Sequence, residues 1–189
     1  MDIPKPDFLP ETPDELDGHG DLTAAEIDLV RSCLAGAECR RGSKRPEPDD
    51  RRDEITVRAA LIRFLARGGN AAYQVDPRGV QLSGARVRDD LDLQACRDLR
   101  PLILEDCHLT DAPLMRDAVG QTVAFQRCHL PGLKADRLKL TGALLLRNSE
   151  VTGALRVAGA QIGGGLDCDG AKLSGPDGLG YVLVADGAR

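Results

Sequence analysis

The chain has 189 residues, 42% of them hydrophobic but only 3% aromatic, with no Trp, 21 Gly and a net charge of −5. A conventional globular core draws on large rings, so this composition excludes one and points to narrow, uniform layers of Leu, Val and Ala, as in repeat architectures. No run of about 18 apolar residues occurs, which excludes a membrane-spanning helix. Twelve acids balance twelve bases from Val80 to Lys172, which excludes the basic surplus expected of direct nucleic-acid binding.

Residues 1–20 are acidic and Pro-rich, with no apolar segment of the kind a secretory signal needs, and they read as a disordered tail. Nine acids stand against one base in residues 1–30, whereas residues 31–79 carry eleven bases and seven acids. Without a signal, Cys33, Cys39, Cys96, Cys107, Cys128 and Cys168 read as reduced thiols in a cytoplasmic setting, packing as small hydrophobes.

Residues 21–70 read as a helical cap. Thr23 and Glu26 have capping-box spacing ahead of Ile27, Leu29, Val30 and Leu34, and Gly36 supplies a stop. Residues 38–53, around "RRGSKRPEPDDRRDE", read as a charged linker in which Pro46 and Pro48 exclude a continuous helix. A second helix is expected over Glu54 to Arg67, with Val57, Leu61, Phe64 and Leu65 as its apolar stripe and Gly68-Gly69 as its end. Its bases Arg58, Arg63 and Arg67 read as a solvated face.

From residue 71 to 189 the helical period is gone. Apolar pairs two residues apart recur as Leu91/Leu93, Leu102/Leu104, Val123/Phe125, Leu144/Leu146, Leu155/Val157 and Leu166/Cys168, and Leu144, Leu155 and Leu166 follow at steps of 11. A second series runs Ala85/Val87, Cys107/Leu109, Cys128/Leu130, Ser149/Val151, Ala160/Ile162 and Ala171/Leu173. Alternation over so few residues means very short strands with one buried face, each stacking on the coil below it.

The segments "GVQLSGARVRDDLDLQAC", "PLILEDCHL", "CHLPGLKADRLKLTGALLLR" and "GALRVAGAQIGGGLDCDGAKL" resemble the pentapeptide-repeat proteins over about residues 55–186. More narrowly they resemble a bacterial group that sets a helix like "RAALIRFLARGG" before the first coil. The resemblance implies a mainly β fold, a right-handed quadrilateral β-helix of about four to five coils with an N-terminal α-helical cap. At about 4.8 Å per coil the rod would be roughly 20 Å long. Two departures from the family stand out. Coils run to 21 or 22 residues rather than 20, and "LTDAPLMRDAVGQTV" breaks the pattern. The closing "YVLVADGAR" reads as the start of another rung. That leaves an uncapped C-terminal edge, to be covered by further chain or by a second copy in a homo-oligomer.

The Cys-His pairs at Cys107 and Cys128, 21 residues apart, read as successive turns of one position. Thiols then face the core, and His108, His129, Glu150 and Lys172 form an outward column. His108, His129 and Glu150 are ligand types of a metal site, but a straight ladder does not converge them. "IGGGLDCDG" has neither a dinucleotide fingerprint nor a P-loop. His19 lies in the tail, and Asp89/Asp90 and Glu105/Asp106 read as solvated acids, so no catalytic set and no cofactor is indicated. The expectation is a non-catalytic protein-binding or scaffolding module, with Arg86, Arg88, Arg97 and Arg100 joining the His108, His129, Glu150 and Lys172 column as partner surface. The family resemblance implies one alternative, a rod that mimics DNA and acts on a topoisomerase such as gyrase. It implies another through the membrane-associated oxidoreductase label of some members of the group, a metal-dependent or redox enzyme or accessory subunit.

Overall fold

The computed structural model describes residues 22–176 and 178–189; the acidic stretch 1–20, with His19, lies outside them. Helix α1 (Ala24–Ala35) begins with the complete capping box of Thr23 and Glu26 and ends at Gly36, whose φ is 65°. A side chain at Gly36 would be strained by that φ and would also place its Cβ 2.6 Å from the Asp76 carboxyl carbon. Next come β1 (Cys39–Arg40), β2 (Thr56–Arg58) and α2 (Ala59–Ala66).

Four coils follow, built from strands of two to four residues. The first contains β3 (Val80–Ser83) and β4 (Arg86–Arg88); the second β5 (Leu102–Glu105), β6 (His108–Leu109) and β7 (Val119–Gly120). The third contains β8 (Val123–Gln126), β9 (His129–Leu130), β10 (Leu133–Lys134) and β11 (Lys139–Leu140). The fourth contains β12 (Leu144–Leu145), β13 (Glu150–Val151), β14 (Leu155–Arg156) and β15 (Gln161–Ile162), and a final partial coil β16 (Leu166–Asp167), β17 (Lys172–Leu173) and β18 (Leu183–Val184).

All named strand pairs are parallel, and they make four sheets. The first face runs β1-β3-β5-β8-β12-β16 and the second β2-β4-β6-β9-β13-β17; the third is β10-β14-β18 and the fourth β7-β11-β15. Bridges Asp92–Leu114–Lys134 and Leu99–Gly120 carry the third and fourth faces back through the earlier coils. The protein is therefore a four-sided parallel β-solenoid of about four turns, with two helices at its N-terminal end. Among the described residues no helix is long and apolar enough to cross a membrane.

Inward residues stack by identity of position. Leu82, Leu104 and Phe125 form one buried stack on the first face, and Val87, Leu109, Leu130 and Val151 form another on the second. The corner before the second face in each coil adopts the left-handed region: Gly84, Asp106, Arg127, Asn148 and Gly170. The diagonally opposite corner does the same at Ala95, Asp117, Arg137, Gly159 and Gly187. Ion pairs tie neighbouring coils along these corners, with Arg127 on Asp106 at 2.9 Å and on Glu105, and Arg137 on Asp117 at 2.6 Å.

Four expectations need correction. Residues 54–67 are not one helix: β-branched Thr56 and Val57 pair with β4 as a strand, and the helix starts only at Ala59. Arg58 is not a solvated base, because its guanidinium is held by buried Glu26 at 2.7 Å. The stretch "LTDAPLMRDAVGQTV" is a regular coil, with Met115 and Ala118 fully buried. Gly120 replaces the aliphatic residue of the fourth face there because a Cβ would lie 2.7 Å from that of Leu99. The two apolar series each merge two faces: Leu144 and Leu166 pair through β12 and β16 on the first face, whereas Leu155 belongs to β14 on the third. The step of 11 is half a coil.

Candidate functional site

The second face carries the column expected from the repeat. Arg86 pairs in register with His108, His108 with His129, His129 with Glu150, and Glu150 with Lys172. The interval is set inside the rod by a ladder of small polar atoms. The Cys107 N–H donates to Cys128 Sγ (3.4 Å), the Cys128 N–H to Ser149 Oγ (3.0 Å), and the Ser149 hydroxyl to the Phe125 carbonyl (2.9 Å). Burial, then the contact with Cys107, pushes the Cys128 thiol well above its ordinary value. Cys33, also buried and close to Cys39, is pushed up to about 12. These thiols serve as packing and hydrogen-bonding groups, protonated at neutral pH.

On the outside, the rings of His108 and His129 are stacked at 4.5 Å between centroids with planes 5° apart. His108 is not an exposed outward residue as the alternation implied; it is 6% exposed. Residues 43–53 pass over this part of the face, with Arg45 close enough to act on the His108 imidazole. This segment leaves β1 at Gly42, which rests so tightly on Gly84 that a Cβ at Gly84 would lie 2.3 Å from the Gly42 oxygen, and it returns at buried Ile55. Arg45 reaches across the column and pairs with Glu150 at 3.2 Å, and Pro46 beside it is buried. The charged linker is thus a strap laid over the second face.

The electrostatics of the column are one-sided. Burial, then the neighbouring His129 ring, then Arg86 and Arg45, depress the His108 imidazole to about 4, so it is neutral at pH 7. The Nδ1 of His129 is enclosed without a hydrogen-bond partner, and its Nε2 lies 3.4 Å from the Thr152 hydroxyl. Glu150, proposed as a third ligand beside the two imidazoles, is occupied by Arg45. Parallel stacked rings hold their lone pairs side by side rather than aimed at one point. Among the described residues no three His, Cys, Asp or Glu groups are placed to hold a metal ion.

The remaining expected surface residues divide. Arg88 and Lys172 are exposed on the second face, whereas Arg97 and Arg100 lie around the corner toward the fourth, where the Arg100 N–H bonds the Ala66 carbonyl at 2.8 Å. Arg86 lines a cleft of about 450 Å³ between the returning limb of the strap and the second face, together with Arg51, Asp53, Arg88, Asp89 and Asp111. Its Nε is buried without a partner, and among the described residues its guanidinium has no carboxylate within ion-pair distance. Arg45, Pro46 and the orphan state of Arg86 went unseen in the sequence. The only hint of the strap was that Pro46 and Pro48 forbid a helix there.

At the other end of the rod the last coil exposes Leu166, Leu179, Tyr181 and Leu183. The chain matches no protein-family model, no curated protein and no solved structure.

Proposed function

We propose that this protein is a non-catalytic protein-binding or scaffolding module, built like a pentapeptide-repeat rod, that receives an acidic side chain of its partner at Arg86. The observation that carries this reading is half-buried Arg86 on a rigid face, its Nε enclosed without a hydrogen-bond partner. A buried guanidinium N–H without an acceptor is costly, and a partner carboxylate entering the cleft would supply one in bidentate geometry. Exposed Arg88 and Lys172 would extend the contact along the same face. Because the face is fixed by neighbouring coils, little ordering cost would oppose binding.

Phosphate mimicry is a weaker reading of the same rod. Asp106, Asp117 and Asp167 are each paired with an arginine of the neighbouring coil, which cancels the negative field such mimicry needs. A second contact in the proposal is the apolar edge of the last coil, where a second copy of the chain would cover Leu166, Leu179, Tyr181 and Leu183.

The test is capture of a partner by the immobilised chain, followed by quantitative binding to Arg86→Glu and to Arg97→Glu. The proposal expects Arg86→Glu to weaken binding at least tenfold, with an unchanged far-UV spectrum, and Arg97→Glu to leave it intact. Equal affinity for both variants would overturn the assignment to Arg86.

A further inference from the structure

We propose that residues 43–53 are an acid-released strap: proton uptake by the stacked pair His108 and His129 detaches Arg45 from Glu150 and uncovers the second face. The inference stands on the composition of the column and does not depend on any partner.

The groups facing the imidazole pair come from every element packed around it. The strap contributes Arg45, and β4 contributes Arg86, itself close enough to Asp50 of the strap to lower that carboxyl after the larger effect of Arg52. From β13 comes Glu150, the register partner of His129, and beyond it stands Lys172. The imidazole pair therefore lies beside two permanent cations, Arg45 and Arg86, and the carboxylate next to His129 in register, Glu150, is already engaged by Arg45 at 3.2 Å.

A proton on either ring changes this balance in one direction. The new imidazolium sits 4.5 Å from its neighbour ring and beside Arg45 and Arg86, where like charge is unfavourable. On His129 it also gains a claim on Glu150, one strand spacing away, in competition with Arg45. The enclosed Nδ1 of His129 has no acceptor for an added proton in this arrangement. Opening gives that N–H water as a partner, leaves Glu150 to the imidazolium, and returns the Arg45 guanidinium to solvent. The strap is suited to this because its main-chain hydrogen bonds among the described residues are local: Asp50 N–H to the Glu47 carbonyl at 3.1 Å, and, where it rejoins β2, the Ile55 and Thr56 N–H groups to the Arg52 and Asp53 carbonyls at 3.3 Å.

The experiment is heteronuclear NOE measurement on the full chain between about pH 7 and about pH 4, with both imidazoles followed by their ring proton shifts in the same samples. The strap amides at 43, 44, 45, 47, 49 and 50 are expected to match the coils at neutral pH and to drop to the values of a free segment as the imidazoles titrate. Glu150→Gln is expected to show the drop already at pH 7. A double variant, His108→Phe with His129→Gln, is expected to keep the strap rigid at the pH where the parent loosens. Strap values that stay rigid after both imidazoles have titrated would overturn the proposal. So would a double variant that folds and loosens at the same pH as the parent, since release would then belong to protonation of Glu150 itself.

Discussion

The carboxylate of Glu26 is fully buried and takes both the main-chain N–H and the guanidinium of Arg58, at 2.9 and 2.7 Å, while still closing the capping box on Thr23. One residue thereby starts α1 and pins it to β2, the strand that opens the second face. Burial alone would raise this carboxyl, but the Arg58 and Thr23 donors outweigh it and hold the pKa below the ordinary carboxylate value. Removing one member of such a pair strands the other, so Glu26→Gln is expected to cost about 3–5 kcal/mol in urea unfolding. Substitution of exposed Arg52, paired with Asp50 at the surface, should change stability far less.

The interior ladder makes a sharper prediction because sulfur and oxygen do the same task in successive coils. Ser149→Cys should be close to neutral, since Cys128 and Cys107 occupy the equivalent positions one and two coils earlier. Ser149→Ala removes the acceptor of the buried Cys128 N–H, and about 1–3 kcal/mol should be lost. Comparing the two variants by denaturant midpoint separates the hydrogen bond from the change in volume.

The left-handed corners supply a stabilising substitution. Ala95 is exposed with φ 53°, at the corner that Gly159 and Gly187 occupy in later coils. Its side chain is strained there, and no ion pair compensates. Ala95→Gly is expected to raise stability by about 0.5–1 kcal/mol. Arg127→Gly, with the same strain but with loss of the bonds to Asp106 and Glu105, should gain less or lose stability. Thermal unfolding of the two variants side by side decides this.

What was legible in the sequence was whatever repeats. The interval between Cys107 and Cys128 measured one turn correctly, and the column of His108, His129, Glu150 and Lys172 is the observed register, because parallel stacking places equivalent residues over one another. The helix start at Thr23 and its stop at Gly36 were legible for a local reason, the chemistry of caps. Two features were not. The step from Leu144 to Leu155 looked like a coil because opposite faces of a four-sided rod carry the same alternation, and only pairing tells them apart. The burial of His108 was illegible because the segment that lies over this face, joined to it by the Arg45–Glu150 ion pair, has no periodicity that would place it.

That cover leads to a stability profile with a definite sign. The folded chain holds the His108 imidazole near 4, below the value of about 6.5 it would have unfolded. As pH falls through 6.5 the unfolded state takes up the proton first, so stability declines from there. The decline ends near pH 4, where the folded state is protonated too, and its total is on the order of 3 kcal/mol. Glu26, whose pKa is also depressed, adds its own loss only below the ordinary carboxylate value, so the two contributions fall in successive windows. His108→Phe keeps a flat ring against His129 but cannot titrate. Urea midpoints measured from pH 7 to 4 should therefore fall for the parent and stay level for the variant until the carboxylate range is reached. A parent profile that is flat between 6.5 and 4.5 would mean that His108 titrates alike in both states and that its burial does not govern this face.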